Sequence, residues 1–436
     1  MSVPLAPLEL LERSRRGETV GAESIAYFVR NWYGGGATDA QMAAWCMLAC
    51  LQGLDPAAVT ALTAELIATG DRLDLNSLGP TGDTHSTGGV GDTTTLVAIP
   101  IAAALGVRVA KMSGRGLAHT GGTVDKLEAI PGYQADLHLA DFVRQIKDVG
   151  CAVISQTDWL TPGDKRLCAL RDQTATVQSA GLIAASIMSK KLAGGAAAIA
   201  LDIKCGDGAF FATPAQARDA AELMVSLAEP WGRSVRWMVT DMSQPLGVAV
   251  GNALEVRQAA AVLRGAGPHD LRELGLRVAA ELAEASGVAP VGDGLEQAEA
   301  AITDGTALAM AERWVEAQGG EPAVWTDDDA LPSAPIRLDV VAPHDGWLAA
   351  LPARALGEAA RRLGAGRLHP SQNVDPAVGL ELRAKVGHEV TAGEPVIVVH
   401  ARDMALAEAC VADLITRIVV SQTQVDAPHL IVASDA

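Results

Sequence analysis

Aromatic residues are scarce in this chain: Phe, Tyr and Trp together make up 3% of 436 residues. The core must therefore be built largely from Ala, Val, Leu and Ile, which suits helices packed closely on a sheet. Basic residues are also in deficit, 34 Lys and Arg against 52 Asp and Glu, for a formal net charge of −18. That argues against a grip on a nucleic-acid backbone, which needs clustered Lys and Arg. A phosphate ligand stays open, because a local cationic pocket outweighs a distant, screened field. The six cysteines, at 46, 50, 151, 168, 205 and 410, form no CxxC pair and read as small buried apolar residues. Histidines 138, 269, 344, 369, 388, 400 and 429 are scattered without metal-ligand spacing, so no metal is expected. The first residues, MSVPLAPLELLERSRRGE, lack the apolar core of a signal peptide, and no run reaches membrane-spanning length unbroken by charge or glycine. A cytoplasmic protein with no membrane or nucleic-acid partner is the expectation. Also missing are the two familiar phosphate fingerprints, GxxxxGK[ST] and GxGxxG.

What is present instead is a pair of glycine- and hydroxyl-rich stretches. The first is GDTHSTGGVGDTTT at 82–95, and the second is KMSGRGLAHTGGTVDKLE at 111–128. The second follows a strand-like run, VRVA at 107–110, and leads into a helix start at Asp125–Glu128. Strand, glycine loop and helix start together make an anion cradle. Glycine lets the backbone approach a ligand closely, and the first N–H groups of a helix lack intrahelical partners.

The chain before these loops reads as four short helices: LAPLELLERSRRGE, AESIAYFVRNWYGG, ATDAQMAAWCMLACLQGL and DPAAVTALTAELIATG. From about residue 80 the pattern changes. Short Val/Ile/Ala runs (TTTLVAIPIAAALG, VRVAKMS, CAVISQ, AAAIALDIKCG) alternate with helical patterns and glycine loops, which predicts a mainly parallel sheet with the active loops at its strands' carboxyl ends. DLRELGLRVAAELAEASG and GLEQAEAAITDGTALAMAERWVEAQGG read as amphipathic helices. The acidic, proline-bearing AVWTDDDALPSAP at 323–335 reads as a linker. Beyond it come short β-like runs and a helix, LPARALGEAARRLG. There is no internal repeat and no low-complexity tract.

SGRGLAHTGGTVDKLE at 113–128 resembles the signature of the thymidine/pyrimidine nucleoside phosphorylases, the nucleoside phosphorylase-II type. HSTGGVGD at 85–92 is similar to that family's first phosphate loop. KDVGCAVISQT (147–157), DKRLCALRDQTATV (164–177), ASIMSKKLA (185–193) and DMSQPLGVAVGNALEV (241–256) continue the likeness in order. The resemblance implies a small helical domain and a larger α/β domain with a mixed, mainly parallel sheet, a C-terminal α+β module, and a cleft between domains. The expected divisions are 1–70 and 160–193 for the helical domain, 71–159 and 194–330 for the α/β domain, and 331–436 for the module. A homodimer through the helical domain is implied as well.

The activity implied is reversible phosphorolysis of pyrimidine (deoxy)ribonucleosides to free base and α-(deoxy)ribose 1-phosphate, by a pentosyltransferase with no organic cofactor. Such chemistry relies on placement and preorganised electrostatics. For phosphate, the candidates are the hydroxyls of Ser86, Thr95, Ser113 and Thr123, with backbone N–H groups near Gly88–Gly91. For the base, the resemblance points to Arg171, Ser186 and Lys190. Ser186 and Lys190 are four residues apart and share a helix face, although composition alone makes Lys191 an equal candidate. Leu117, Ile183 and Phe210 match positions that wall the base. His85 is the expected proton donor to the base, its ordinary pKa of ~6.5 suiting transfer near neutrality, and His119 is its rival. Oxygens of Gly91, Thr93, Leu246 and Ala249 match a monovalent-cation site. One departure stands out: relatives carry Lys before the His-Ser-Thr-Gly-Gly run, and this chain has Thr84, with Lys111 and Arg115 as nearby substitutes. Asp207 replaces a serine and can either order water or repel an anion. The alternatives to phosphorolysis are a non-catalytic or hydrolytic nucleoside-binding relative, or an anthranilate-type phosphoribosyltransferase, which would need Mg²⁺ and a pyrophosphate site.

Overall fold

A computed structural model describes residues 4–116, 119–369 and 372–435. Four helices open the chain: α1 Pro7–Arg15, α2 Ala22–Tyr33, α3 Asp39–Gln52 and α4 Pro56–Ala68. Their starts are locally encoded. Thr38 and Gln41 close a reciprocal capping box on α3, and Asp55 caps α4 ahead of Pro56. Phe28, Trp32, Leu62 and Leu66 fill the space between them, all fully buried.

The α/β part starts with β1 Thr81–Ser86, followed by α5 Thr94–Leu105, β2 Arg108–Met112, α6 Thr123–Leu127, α7 Leu139–Asp148 and β3 Cys151–Ile154. Next come α8 Pro162–Gln173 and α9 Ala180–Ala193, which pack on α3 and α4. The chain then returns through β4 Ala198–Cys205, α10 Pro214–Ala228, β5 Ser234–Asp241, α11 Asn252–Leu263 and α12 His269–Ala285. One expectation is corrected here. The apolar run at 94–105, grouped by sequence with the strand-like stretches, is helix α5 and carries Pro100 inside it. It is buried on every side from Thr94 to Ala103, so it has no polar stripe to display a helical period.

The six-stranded sheet runs in the order of a last strand (Ile431–Ser434), β5, β4, β1, β2, β3. All neighbours are parallel except the last strand, which lies antiparallel on β5. The chain builds outward from β1 through β2 and β3, then resumes on β1's other side with β4. The order therefore reverses between β1 and β4, and the crevice at their carboxyl ends is where such sheets bind ligands. The C-terminal part forms two small antiparallel sheets and two helices, Ala353–Ala360 and Met404–Leu414. The short strand Ala249–Val250 joins one of these sheets, so the α/β domain and the module share strands in both directions. No helix among the described residues is long and apolar enough to cross a membrane.

Candidate active site

A cavity of about 470 Å³ opens where the sheet's carboxyl ends face α8 and α9. His85 and Ser86, the last residues of β1, enter it with Thr95 from the first turn of α5. Lys111 and Ser113 reach it from the end of β2, and Thr123 from the start of α6. Opposite them stand Arg171 on α8, and Ile183, Ser186 and Lys190 on α9, with Phe210 from the loop after β4. A second cavity of about 580 Å³ adjoins it beneath the C-terminal module. Thr120, Gly121, Gly122, Asp172, Val177 and Phe210 border both, so they form one cleft. Leu117 lies outside the described residues.

The first loop is held by a buried carboxylate. Asp92 accepts hydrogen bonds from Ser86 Oγ and from the Thr94 hydroxyl at 2.8 Å, and Ser86 Oγ in turn accepts from Gly88 N at 3.2 Å. Burial favours the neutral acid, but the charges of Lys204 and Lys126 outweigh it and hold Asp92 well below the usual carboxylate range. The second loop folds back on itself. A Cβ on Gly122 would sit 2.0 Å from Gly116 N, so only glycine fits. Asp125 ties this crossing by accepting from Gly116 N at 2.8 Å.

The two residues named as substitutes for the missing loop lysine both line the cavity and differ in their partners. Arg115 is committed to Glu128 and Asp125. Lys111 is 2% exposed, lines the cavity, and donates to the carbonyl of Thr84. Burial, reinforced by the charge of Lys191, lowers its pKa to about 7. Thr84 itself is buried outside the cavity wall, on the same face of β1 as Ser86. His85 departs from its ordinary titration. Burial first, then the charges of Lys191, Lys111 and Lys190, push its pKa well below ~6.5 and keep the imidazole neutral.

Geometry decides between Lys190 and Lys191. Lys191 points into the protein, bonded to Asp83 Oδ2 at 2.9 Å and Met112 O at 3.2 Å, and is fully buried. Lys190 faces the cavity and donates to Ser186 Oγ at 2.8 Å. Arg171 spends its guanidinium on the carbonyls of Thr176, Val177 and Leu182. It thereby fixes the turn at Ala175, a non-glycine residue at φ 56°. His119 lines the second cavity, bonds Gly208 O at 3.0 Å and stands edge-on to Phe210, a loop-orienting role. Asp207 lies outside both cavity walls: it accepts from the backbone N–H of Arg354 and fastens the β4 loop to the helix Ala353–Ala360.

Three family descriptions match the chain in order: the helical bundle domain of the glycosyl transferase family over residues 8–70, its a/b domain over 78–308, and the pyrimidine nucleoside phosphorylase C-terminal domain over 347–421. A pyrimidine-nucleoside phosphorylase from Geobacillus stearothermophilus is 42% identical over 429 residues, covering 97% of this chain and 98% of that protein. One from Bacillus subtilis is 43% identical over 399 residues, 90% and 92% of the two chains. The chain belongs to the pyrimidine nucleoside phosphorylase family. Among solved structures, an anthranilate phosphoribosyltransferase from Thermus thermophilus shares the fold, with a TM-score of 0.56 at 20% identity over 71% of this chain and 98% of that one.

Sequence reading missed three residues that shape or line this cavity. Asp164 on α8 is fully buried and ion-pairs with Lys190. Asp92 organises the first loop. Cys168, one turn after Asp164, lines the cavity with its thiol 3.3 Å from Ser186 Oγ, and burial together with Asp164 raises its pKa. The i, i+4 spacing of Asp164 and Cys168 on one helix was the available signal.

Proposed function

We propose that this chain catalyses the reversible phosphorolysis of pyrimidine nucleosides, releasing free base and α-(deoxy)ribose 1-phosphate. One observation carries the reading. A single cavity joins the hydroxyls of Ser86, Thr95, Ser113 and Thr123 and the ammonium of Lys111 to the polar set Arg171, Ser186 and Lys190. The first group suits an oxyanion and the second a pyrimidine edge. Phosphate attacking C1′ from the face opposite the base inverts that carbon, and the departing base accumulates negative charge. Lys190 and the Arg171 region lie where that charge develops, and preorganised donors there act on the transition state. His85, neutral in the empty site, takes up a proton once anionic phosphate enters and raises its pKa, and the imidazolium then passes that proton to the base, which couples protonation to binding.

The substrates are a pyrimidine nucleoside and phosphate, with no organic cofactor. A homodimer is part of this reading: Leu8, Met47 and Leu51 on α1 and α3 are exposed apolar side chains of the helical domain. So is a cytoplasmic setting, in keeping with six free cysteines. The test is release of uracil or thymine from uridine and thymidine, with and without phosphate. Phosphate-dependent release with sugar 1-phosphate as co-product is expected. Release without phosphate, giving free sugar, would overturn the reading in favour of hydrolysis.

A further inference from the structure

Gly91, Thr93, Leu246 and Ala249 do converge in the folded chain. A Cβ added to Gly91, at φ +69°, would fall 2.5 Å from Leu246 O and 2.8 Å from Ala249 O. These are the oxygens that match a monovalent-cation site by resemblance. A protein group already faces them. Gln258 on α11 is 5% exposed, and its Oε1 accepts from the backbone N–H groups of Val248 at 2.9 Å and Ala249 at 3.1 Å. Two backbone donors settle which end of this amide is oxygen. The NH₂ end therefore points the other way, donating to Thr93 Oγ1 at 2.9 Å and lying 3.5 Å from Gly91 O.

Charge at this place is also accounted for. Lys126, 1% exposed, donates to the Asp92 carbonyl and pairs with Glu255 Oε2 at 2.8 Å. The same carboxylate oxygen accepts from the Thr93 hydroxyl at 3.0 Å. An added cation would meet a hydrogen-bond donor where it needs an acceptor, beside a carboxylate already neutralised by an ammonium. The residues present do not fit the ion.

We propose that Gln258 is a positioning residue whose side-chain NH₂ takes the place of a monovalent cation, so that the first phosphate loop is held in its working shape without one. The catalytic part of this inference rests on the phosphorolysis reading; its structural part does not. The test compares the full chain with Gln258→Glu in potassium, sodium and choline chloride at equal ionic strength, reading both Tm and phosphate-dependent base release. In the wild type, Tm and rate are expected to be the same in all three salts. In Gln258→Glu a carboxylate oxygen replaces the NH₂, and Tm and rate are expected to rise in potassium or sodium over choline, the rate by about tenfold. A saturable rise of wild-type Tm with potassium or sodium would overturn the proposal even if no phosphorolysis were detected. Should Gln258→Glu fail to fold, Gln258→Met carries the test: a phosphate KM about tenfold higher in every salt, with nucleoside KM unchanged, supports the role of the amide, and an unchanged phosphate KM overturns it.

Discussion

The two ends of the cleft solve the problem of burying charge in opposite ways. At the end formed by α8 and α9, Lys190 and Arg171 each have a counter-group in the resting protein. Lys190 is 7% exposed and paired with the fully buried Asp164, and Arg171 is bonded to three carbonyls. At the other end, the hydrogen bond that Lys111 makes among the described residues is to the Thr84 carbonyl, and its pKa drops to about 7. The Lys190 end thus carries its counter-charge already, whereas the Lys111 end does not. A lysine left short of a counter-charge gains more from an incoming dianion than one already paired.

The contrast can be broken most forcibly at Asp164. Asp164→Ala leaves the buried Lys190 ammonium unpaired and is expected to cost about 3–5 kcal/mol of stability, read by denaturant unfolding. Asp164→Asn, which keeps the shape, is expected to lose activity mainly through kcat, because Lys190 then lacks the anchor that aims it. Equal unfolding midpoints for wild type and Asp164→Ala would show that the pair holds nothing.

Lys111→Met at the other end is expected to raise the phosphate KM by about one to two factors of ten, the worth of a charged hydrogen bond, with little change in nucleoside KM. Both constants rising together would instead indicate a general collapse of the cleft. The pH dependence sharpens this. Lys111 is charged below about 7 in the empty site, and bound phosphate raises that pKa. Phosphate affinity in the wild type, relative to Lys111→Met, should therefore fall as pH climbs from 7. The same group acts on folding with a definite sign. Its folded pKa lies below the ordinary lysine value of 10.5, so between about 7 and 10.5 the unfolded chain binds more protons and the ligand-free protein gains stability with rising pH. A Tm that rises less across this window in Lys111→Met than in wild type would assign the effect.

The smallest expected effect is at Thr84. A lysine there shares the face of β1 that carries Ser86 and adds a second cation to the Lys111 end. Thr84→Lys should lower the phosphate KM by up to about tenfold. A higher KM would mean that crowding three buried lysines costs more than the new contact returns.

Much of the site could be read directly along the chain, because its recognition elements are local. A glycine loop must be glycine where Gly122 crosses Gly116, and hydroxyls line the cavity from fixed places on either side of it. The helical caps at Thr38 and Asp55 were equally local. Helix α5 was not legible, since burial on all sides removes the pattern by which a helix is read. Asp164 was invisible as a partner because Lys190 lies on a different helix. Gln258 and Thr93 meet only when α11 packs beneath the first loop.

By itself, then, the sequence determined the four opening helices, the strands β2, β3 and β4, the two cradles, and the family to which they belong. These follow from short-range rules of backbone conformation and periodicity. The tertiary structure alone decided which of two adjacent lysines faces the cavity, that Arg115 is spent on Glu128, that His85 stays neutral, and that a glutamine amide fills the first loop's hollow. Each of these depends on burial and on charges brought close by packing, quantities that a linear chain does not carry.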